Sequence, residues 1–166
     1  MTETPRISRP EFFRPPLEYP RISYGQMLTH AADRWPENVA IVSRDTSLTY
    51  RELDALANRF ARALARRGVK RGECVSLFVA NCPEYVIAFY ASARIGAVVS
   101  PMNPSYRERE VEYQLDNSEA VAVVVGQELL PIVEAVRGRL PRLRHVIAVG
   151  AAVPTGGHAL SGGAAT

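Results

Sequence analysis

Between residues 22 and 149 the chain alternates short, β-branched apolar runs with longer helical segments, and this alternation restricts it to one architecture. The apolar runs are Val39–Ser43, Leu48-Thr49, Cys74–Val79, Ala97–Ser100 closed by Pro101, Val121–Val125 and His145–Val149. Asp45-Thr46-Ser47 reads as the turn that folds the second run back on the first. The helical segments carry start and stop signals. Ser23 caps a helix over Tyr24–Trp35 with Met27, Leu28, Ala31 and Trp35 on one face, and Pro36 stops it. Thr49 and Glu52 form a capping box in front of Leu53, Leu56, Ala57, Phe60, Ala61 and Leu64, and Gly68 supplies the left-handed stop. Pro83 occupies a first turn that needs no donor, ahead of Val86, Ile87, Phe89 and Tyr90, with Gly96 at the end. Ser105 and Glu108 predict a second capping box opening a helix to about Leu115, and Glu128–Arg137 a last helix with Pro131 near its start. Strands separated by helices of this length require right-handed βαβ crossovers. The expectation is therefore an α/β fold, a layered and mostly parallel sheet with flanking helices.

The flanks are different in kind. Residues 1–22 are read as a proline-rich arm, because Pro5, Pro10, Pro15, Pro16 and Pro20 fall within the first twenty positions. Residues 151–166 are read as a flexible Gly/Ala-rich tail. No stretch approaches the roughly 20 apolar residues of a membrane span, and the acidic Met1-Thr2-Glu3 start has no secretory h-region. Cys74 and Cys82 are eight apart, which fits neither a CxxC redox pair nor a zinc site. Two isolated thiols suit a reducing cytoplasm. The formal charge is only +3, and Lys70 is the single lysine among 20 basic residues. Arginine concentrates in Arg59–Arg62–Arg66–Arg67 and Arg137–Arg139–Arg142–Arg144. Such clusters can bind phosphate. No aromatic side chain is interleaved to stack bases, so solvated helix faces are the better reading and no nucleic-acid partner is expected.

Catalytic constellations are not visible. No G-x-x-x-x-G-K-[ST], G-x-G-x-x-G or G-x-S-x-G occurs. His30, His145 and His158 share no metal-ligand spacing. Cys82 precedes a helix start, which would favour its thiolate. With no base in view, a small residue before Pro83 is the simpler reading. Glu108, Glu110 and Glu112 alternate with Arg107 and Arg109 as on a salt-bridged helix face. Open α/β sheets bind ligands at strand carboxyl ends, and here those ends carry Asn81, Met102-Asn103 and Gly126.

Three segments resemble a known family in order and spacing: Leu48-Thr49-Tyr50-Arg51-Glu52-Leu53, Asn81-Cys82-Pro83-Glu84-Tyr85, and Ala93-Arg94-Ile95-Gly96-Ala97-Val98-Val99-Ser100-Pro101-Met102-Asn103-Pro104. They are similar to "L-T-Y-x-E-L", "N-[SC]-P-E-[FY]" and "x-R-x-G-A-V-x-x-P-x-N-P" of the adenylate-forming, AMP-binding enzymes. Within that superfamily they look more like carboxylic-acid or fatty-acid CoA ligases than peptide-synthetase domains. The Tyr19-Pro20 arm leans toward medium- or long-chain acyl substrates. The resemblance makes residues 23–150 part of the N-terminal domain of such an AMP-dependent synthetase. It implies ATP, Mg²⁺ and CoA for the full enzyme: a carboxylate attacks the α-phosphate of ATP, and the CoA thiol then displaces AMP. The family loop ending in P-K-G, its aromatic-Thr-E segment, its ribose-binding Asp and its C-terminal-domain lysine have no counterpart here, and Lys70 matches neither family lysine. No residue is therefore assigned to catalysis, cofactor binding or a metal. A chain of this length is expected to be inactive alone, to bind no cofactor by itself, and to work with the remainder of the enzyme and a fatty-acid substrate. The alternative is a non-catalytic binding module or split-enzyme subunit that docks with a separate adenylating chain. The resemblance is compatible with peripheral membrane association.

Overall fold

The computed structural model describes residues 22–43 and 46–150, so the arm and the tail lie outside the described residues apart from Ile22. The element order is α1 (Tyr24–Arg34), β1 (Val39–Ser43), β2 (Thr46–Thr49), α2 (Tyr50–Arg66), β3 (Cys74–Phe78), α3 (Pro83–Arg94), β4 (Val98–Pro101), α4 (Glu108–Asn117), β5 (Ala120–Gly126), α5 (Leu130–Arg137) and β6 (His145–Val149). β1 and β2 pair antiparallel. The other strands form a parallel sheet in the order β4-β3-β5-β6, so the expected parallel α/β layering is observed.

Side chains alternate across the sheet and build two cores. Val75 and Leu77 of β3, Val124 of β5 and Ile147 of β6 face α1, α2 and α3. Cys74, Phe78, Val123 and Val146 face α4 and α5. β5 is buried along its whole length, as a central parallel strand covered on both faces must be. β4 is an edge. Pro101, which has no donor to lose, ends it, and Gln114 Nε2 donates to the Pro101 carbonyl at 2.8 Å.

The capping box at α2 forms as its spacing predicts. Thr49 N donates to Glu52 Oε2 at 2.9 Å, and Glu52 N donates to Thr49 Oγ1 at 3.3 Å. Gly68 and Gly96 both take positive φ, 79° and 74°, at the turns where a left-handed residue was required.

Four local expectations are corrected. Thr46 and Ser47 are not turn residues: they pair with Ser43 and Val42 in the β1–β2 ladder, and Asp45 lies outside the described residues. Ser105 does not cap α4. Its N–H donates to Asn103 Oδ1 at 2.9 Å in a local turn, and the helix starts at Glu108, where Glu110 Oε2 accepts from Arg107 N at 3.1 Å. The glutamate that closes the box is Glu110, three residues after Arg107, two positions beyond the Ser105–Glu108 spacing. α5 begins at Leu130, because Leu129 N bonds Gly126 O and holds Gln127-Glu128 in a turn. On α1 the buried line is Gly25–Leu28–Ala32, while Met27 and Trp35 are each 48% exposed. Small residues face inward there because α1 lies hard against α3: a Cβ on Gly25 would come within 2.8 Å of Arg94 Cγ and 3.0 Å of Arg94 Cα.

Candidate functional site

The strand order locates a crevice that the linear sequence does not reveal. From β3 the chain crosses outward to β4, and from β5 it crosses in the other direction to β6. Because both crossovers are right-handed, α3 and α5 land on opposite faces, and the loops leaving β3 and β5 diverge. This reversal is where open α/β sheets bind ligands. A shallow cavity of about 200 Å³ opens there, lined by Val79, Ala80, Cys82 and Glu84 after β3, Gly126 and Glu128 after β5, and Val149 and Gly150 at the end of β6.

The chemistry of this lining is limited. Glu84 and Glu128 bring two carboxylates, and neither has a cationic partner among the described residues. Cys82 sits at the N-cap of α3 but makes no side-chain cap bond. Burial pushes its thiol up, and the neighbouring Glu84 carboxylate adds to the effect, so the helix N-terminus does not yield a thiolate nucleophile. The residues present do not fit a nucleotide triphosphate by themselves. Among the described residues the lining holds no lysine, arginine or histidine, its two carboxylates repel phosphate, and the volume is below the roughly 300 Å³ at which ligand pockets begin. No group of three or more His, Cys, Asp or Glu among the described residues could hold a metal ion.

Of the strand-end residues singled out from the sequence, Gly126 lines the crevice, Asn81 lies exposed in the β3–α3 loop, and Asn103 is taken up by its turn with Ser105. Glu84, Glu128, Val149 and Gly150 were not anticipated, since only the side-by-side order β3-β5-β6 puts the carboxyl ends of these strands around one crevice. The histidines stay apart. His30 is exposed on α1, His145 Nε2 lies 2.9 Å from the Arg67 carbonyl, and His158 is outside the described residues. Lys70 is exposed, and its N–H donates to Glu73.

The residues of the three motifs mostly build the scaffold around the crevice. Arg94 is the clearest case. Its side chain is 11% exposed and ion-paired with Asp54 Oδ1, and it donates to the Asp54 carbonyl at 3.2 Å and to Thr29 Oγ1 at 3.1 Å. One guanidinium thereby fastens α1, α2 and α3 together.

Comparison with known proteins matches this arrangement to one group. The family model described as "AMP-binding enzyme" matches residues 28–161. A medium/long-chain-fatty-acid–CoA/3-oxocholest-4-en-26-oate–CoA ligase of Mycobacterium marinum is 34% identical over 128 residues, which is 77% of this chain and 23% of the relative. Tyrocidine synthase 3 of Brevibacillus parabrevis is 32% identical over 116 residues, 70% of this chain and 2% of that protein, so similarity extends to a peptide synthetase as well. The crystal structure of a long-chain-fatty-acid–CoA ligase from Archaeoglobus fulgidus superposes with a TM-score of 0.80 and 31% identity over 89% of this chain and 30% of its own. The chain thus spans about a quarter of the length of the fatty-acid–CoA ligases it matches. With the family match covering most of its residues, and its fold and motif order in agreement, the chain belongs to the AMP-binding, adenylate-forming enzyme family.

Proposed function

We propose that these residues form the N-terminal part of an ATP-dependent carboxylic-acid–CoA ligase, acting on fatty acids through an acyl-adenylate in the cytoplasm. The observation that carries this reading is the 0.80 TM-score superposition, at 31% identity, on a fatty-acid–CoA ligase over 89% of the chain. In this reading the parallel sheet is a wall. Its carboxyl-end crevice faces the acyl-adenylate site, while ATP, Mg²⁺ and CoA are gripped by residues of a polypeptide remainder. A site that stabilises developing phosphate charge needs backbone donors, a cation and a metal, and the described residues of the crevice supply carboxylates and no cationic side chain.

The experiment is ATP–pyrophosphate exchange with a panel of fatty acids of increasing chain length. Residues 1–166 alone are expected to give background exchange, and activity is expected to appear only when the chain is joined to, or mixed with, the remainder. Exchange by residues 1–166 alone would refute the division of labour. A preference for amino acids over fatty acids in the joined enzyme would refute the substrate class.

One observation favours the second reading, a separate docking subunit. On α3 no charged residue lies between Glu84 and Arg94, and Val86, Phe89 and Tyr90 are left half-buried, with the exposed Tyr24 of α1 edge-on to Phe89 at 5.9 Å. A helix this apolar on all sides is expected to be covered. Co-purification with a larger adenylating chain would favour that arrangement, and a stable monomer that binds no such chain would remove it.

A further inference from the structure

Among the described residues, two buried side-chain oxygen atoms meet no hydrogen-bond partner: Ser76 Oγ and Gln127 Oε1. A buried acceptor left unpaired forfeits the hydrogen bond it makes to water in the unfolded chain, so each such atom calls for a donor. Ser76 is wholly buried in the middle of β3. Gln127 stands elsewhere. It lies between Gly126 and Glu128, two residues that line the crevice, and beside the point where the chain leaves β6.

The geometry at that exit is tight. Gly126 of β5 is in register with Val149 of β6, and Gln127 N donates to the Val149 carbonyl at 2.9 Å, which carries the pairing one residue past the end of β5. The next residue, Gly150, takes φ 143°, a conformation that L side chains rarely adopt. A Cβ on Gly150 would lie 2.7 Å from Gln127 Cβ and 3.6 Å from Gln127 Cγ. The chain therefore passes directly over the aliphatic stem of Gln127. The amide carbon follows Cγ by a single bond, so its buried oxygen lies within reach of the backbone immediately after Gly150. Ala151, Ala152 and Val153 each carry an N–H there, and Pro154 carries none. A glutamine suits this position. Its stem fills the space under a glycine, and its amide oxygen is an uncharged acceptor, which costs less to bury than a carboxylate.

We propose that Gln127 is the positioning residue of the β6 exit: its Oε1 accepts a hydrogen bond from a backbone N–H of Ala151, Ala152 or Val153 and fixes the direction in which the chain leaves the sheet. Val149 and Gly150 line the crevice, so this bond sets where that side of the crevice ends. The bond does not rest on the ligase reading, and its test uses no substrate, so the two fail independently.

The test is amide hydrogen exchange, read by NMR on the 166-residue chain at pH 7. One of the three N–H groups is expected to exchange at least about tenfold more slowly in wild type than in Gln127→Met, which keeps the length of the stem and removes the acceptor. Gln127→Glu keeps an acceptor oxygen and is expected to retain the protection. Gly150→Ala, whose added carbon displaces the stem, is expected to lose it. Exchange at Val146 and Ile147 inside β6 is expected to be the same in wild type, Gln127→Met and Gln127→Glu. Three equally fast N–H groups in wild type would overturn the proposal, and that is the result if an ordered water satisfies Oε1. So would protection that survives in Gln127→Met, or that Gln127→Glu loses as fully as Gln127→Met, since the amide would then donate rather than accept. Protection lost equally throughout β6 would make Gln127 a general support of the strand and would also overturn it.

Discussion

The two ends of the parallel sheet are built differently. At the amino ends the turns are laced together. Glu73 Oε2 accepts from Lys70 N at 2.8 Å and from Arg144 Nη2 at 2.7 Å, and Arg144 also reaches the Gly68 carbonyl. Gly72 N bonds Gly96 O, Val98 N bonds Glu73 O, and Arg142 pairs with Glu119. Just above this layer Arg94 ties α1, α2 and α3. At the carboxyl ends the bonds among the described residues are mostly within one loop or to the next strand, as from Leu129 N to Gly126 O, Gln127 N to Val149 O and Gln114 Nε2 to the Pro101 carbonyl, and Glu84 and Glu128 have no cationic partner among those residues around an open crevice. One end therefore carries polar restraint, and the other leaves room and unneutralised charge for something else. A fold that hosts chemistry at its carboxyl ends separates stability from function in this way.

The contrast predicts that substitutions sort by end. The largest effect is expected from Arg94→Ala, which leaves Asp54 half-buried beside no cation and frees three helices. A loss of about 3 kcal/mol in urea unfolding is expected, and a loss below about 1 kcal/mol would show that the helix layer does not depend on it. Next comes Gly25→Ala. The added carbon meets the Arg94 backbone, which cannot swing away, so about 1–3 kcal/mol is expected from overpacking, with the α1–α3 spacing widened.

Glu73→Gln is smaller and depends on pH. The Lys70 N–H, with the Arg144 guanidinium also contributing, holds the Glu73 carboxyl below its ordinary value in the folded chain. Its stabilisation is therefore present above the unfolded pKa of about 4.3 and is lost as pH falls through the folded one. Because the pair is partly exposed, about 0.5 kcal/mol is expected to separate wild type from variant near pH 6, and the gap should close in acid. If the gap stayed constant with pH, the ion pair would not be its source.

The smallest effects belong to the crevice. Glu84→Gln, Glu128→Gln and Cys82→Ser are each expected within about 0.5 kcal/mol of wild type. Cys82 should react with iodoacetamide near neutral pH more slowly than a free thiol, because burial disfavours its thiolate. Crevice variants as damaging as Arg94→Ala would abolish the distinction between the two ends.

Much of the fold was legible because its signals are local. The Thr49–Glu52 box, Pro83 in a first turn, Gly68 and Gly96 at positive φ, and the β-branched run of β5 each act within a few residues of themselves. Errors arose where two local patterns competed. Ser105 has the spacing of a cap, but Asn103 captures its N–H first, and Glu110 two residues further along does the capping. On α1 the large apolar residues suggested the inner face, yet the close approach of α3 admits only Gly25, Leu28 and Ala32 there. The motifs fared differently again. They identified the family, but Arg94 and Asn103 within them hold helices and turns.

The sequence by itself determined where strands and helices lie, that the sheet is parallel, and which family the chain joins, because caps, periodicity and motif order are written in consecutive residues. Only the tertiary structure decided that β3 and β5 lie side by side with their crossovers diverging, so that residues 84, 128 and 150 share one crevice. The same holds for the two arginine clusters. Their composition is alike, yet among the described residues one is neutralised and the other makes no ion pair, a difference that rests on which carboxylates the folded chain brings within reach. Charge is local, but its compensation depends on distance in space.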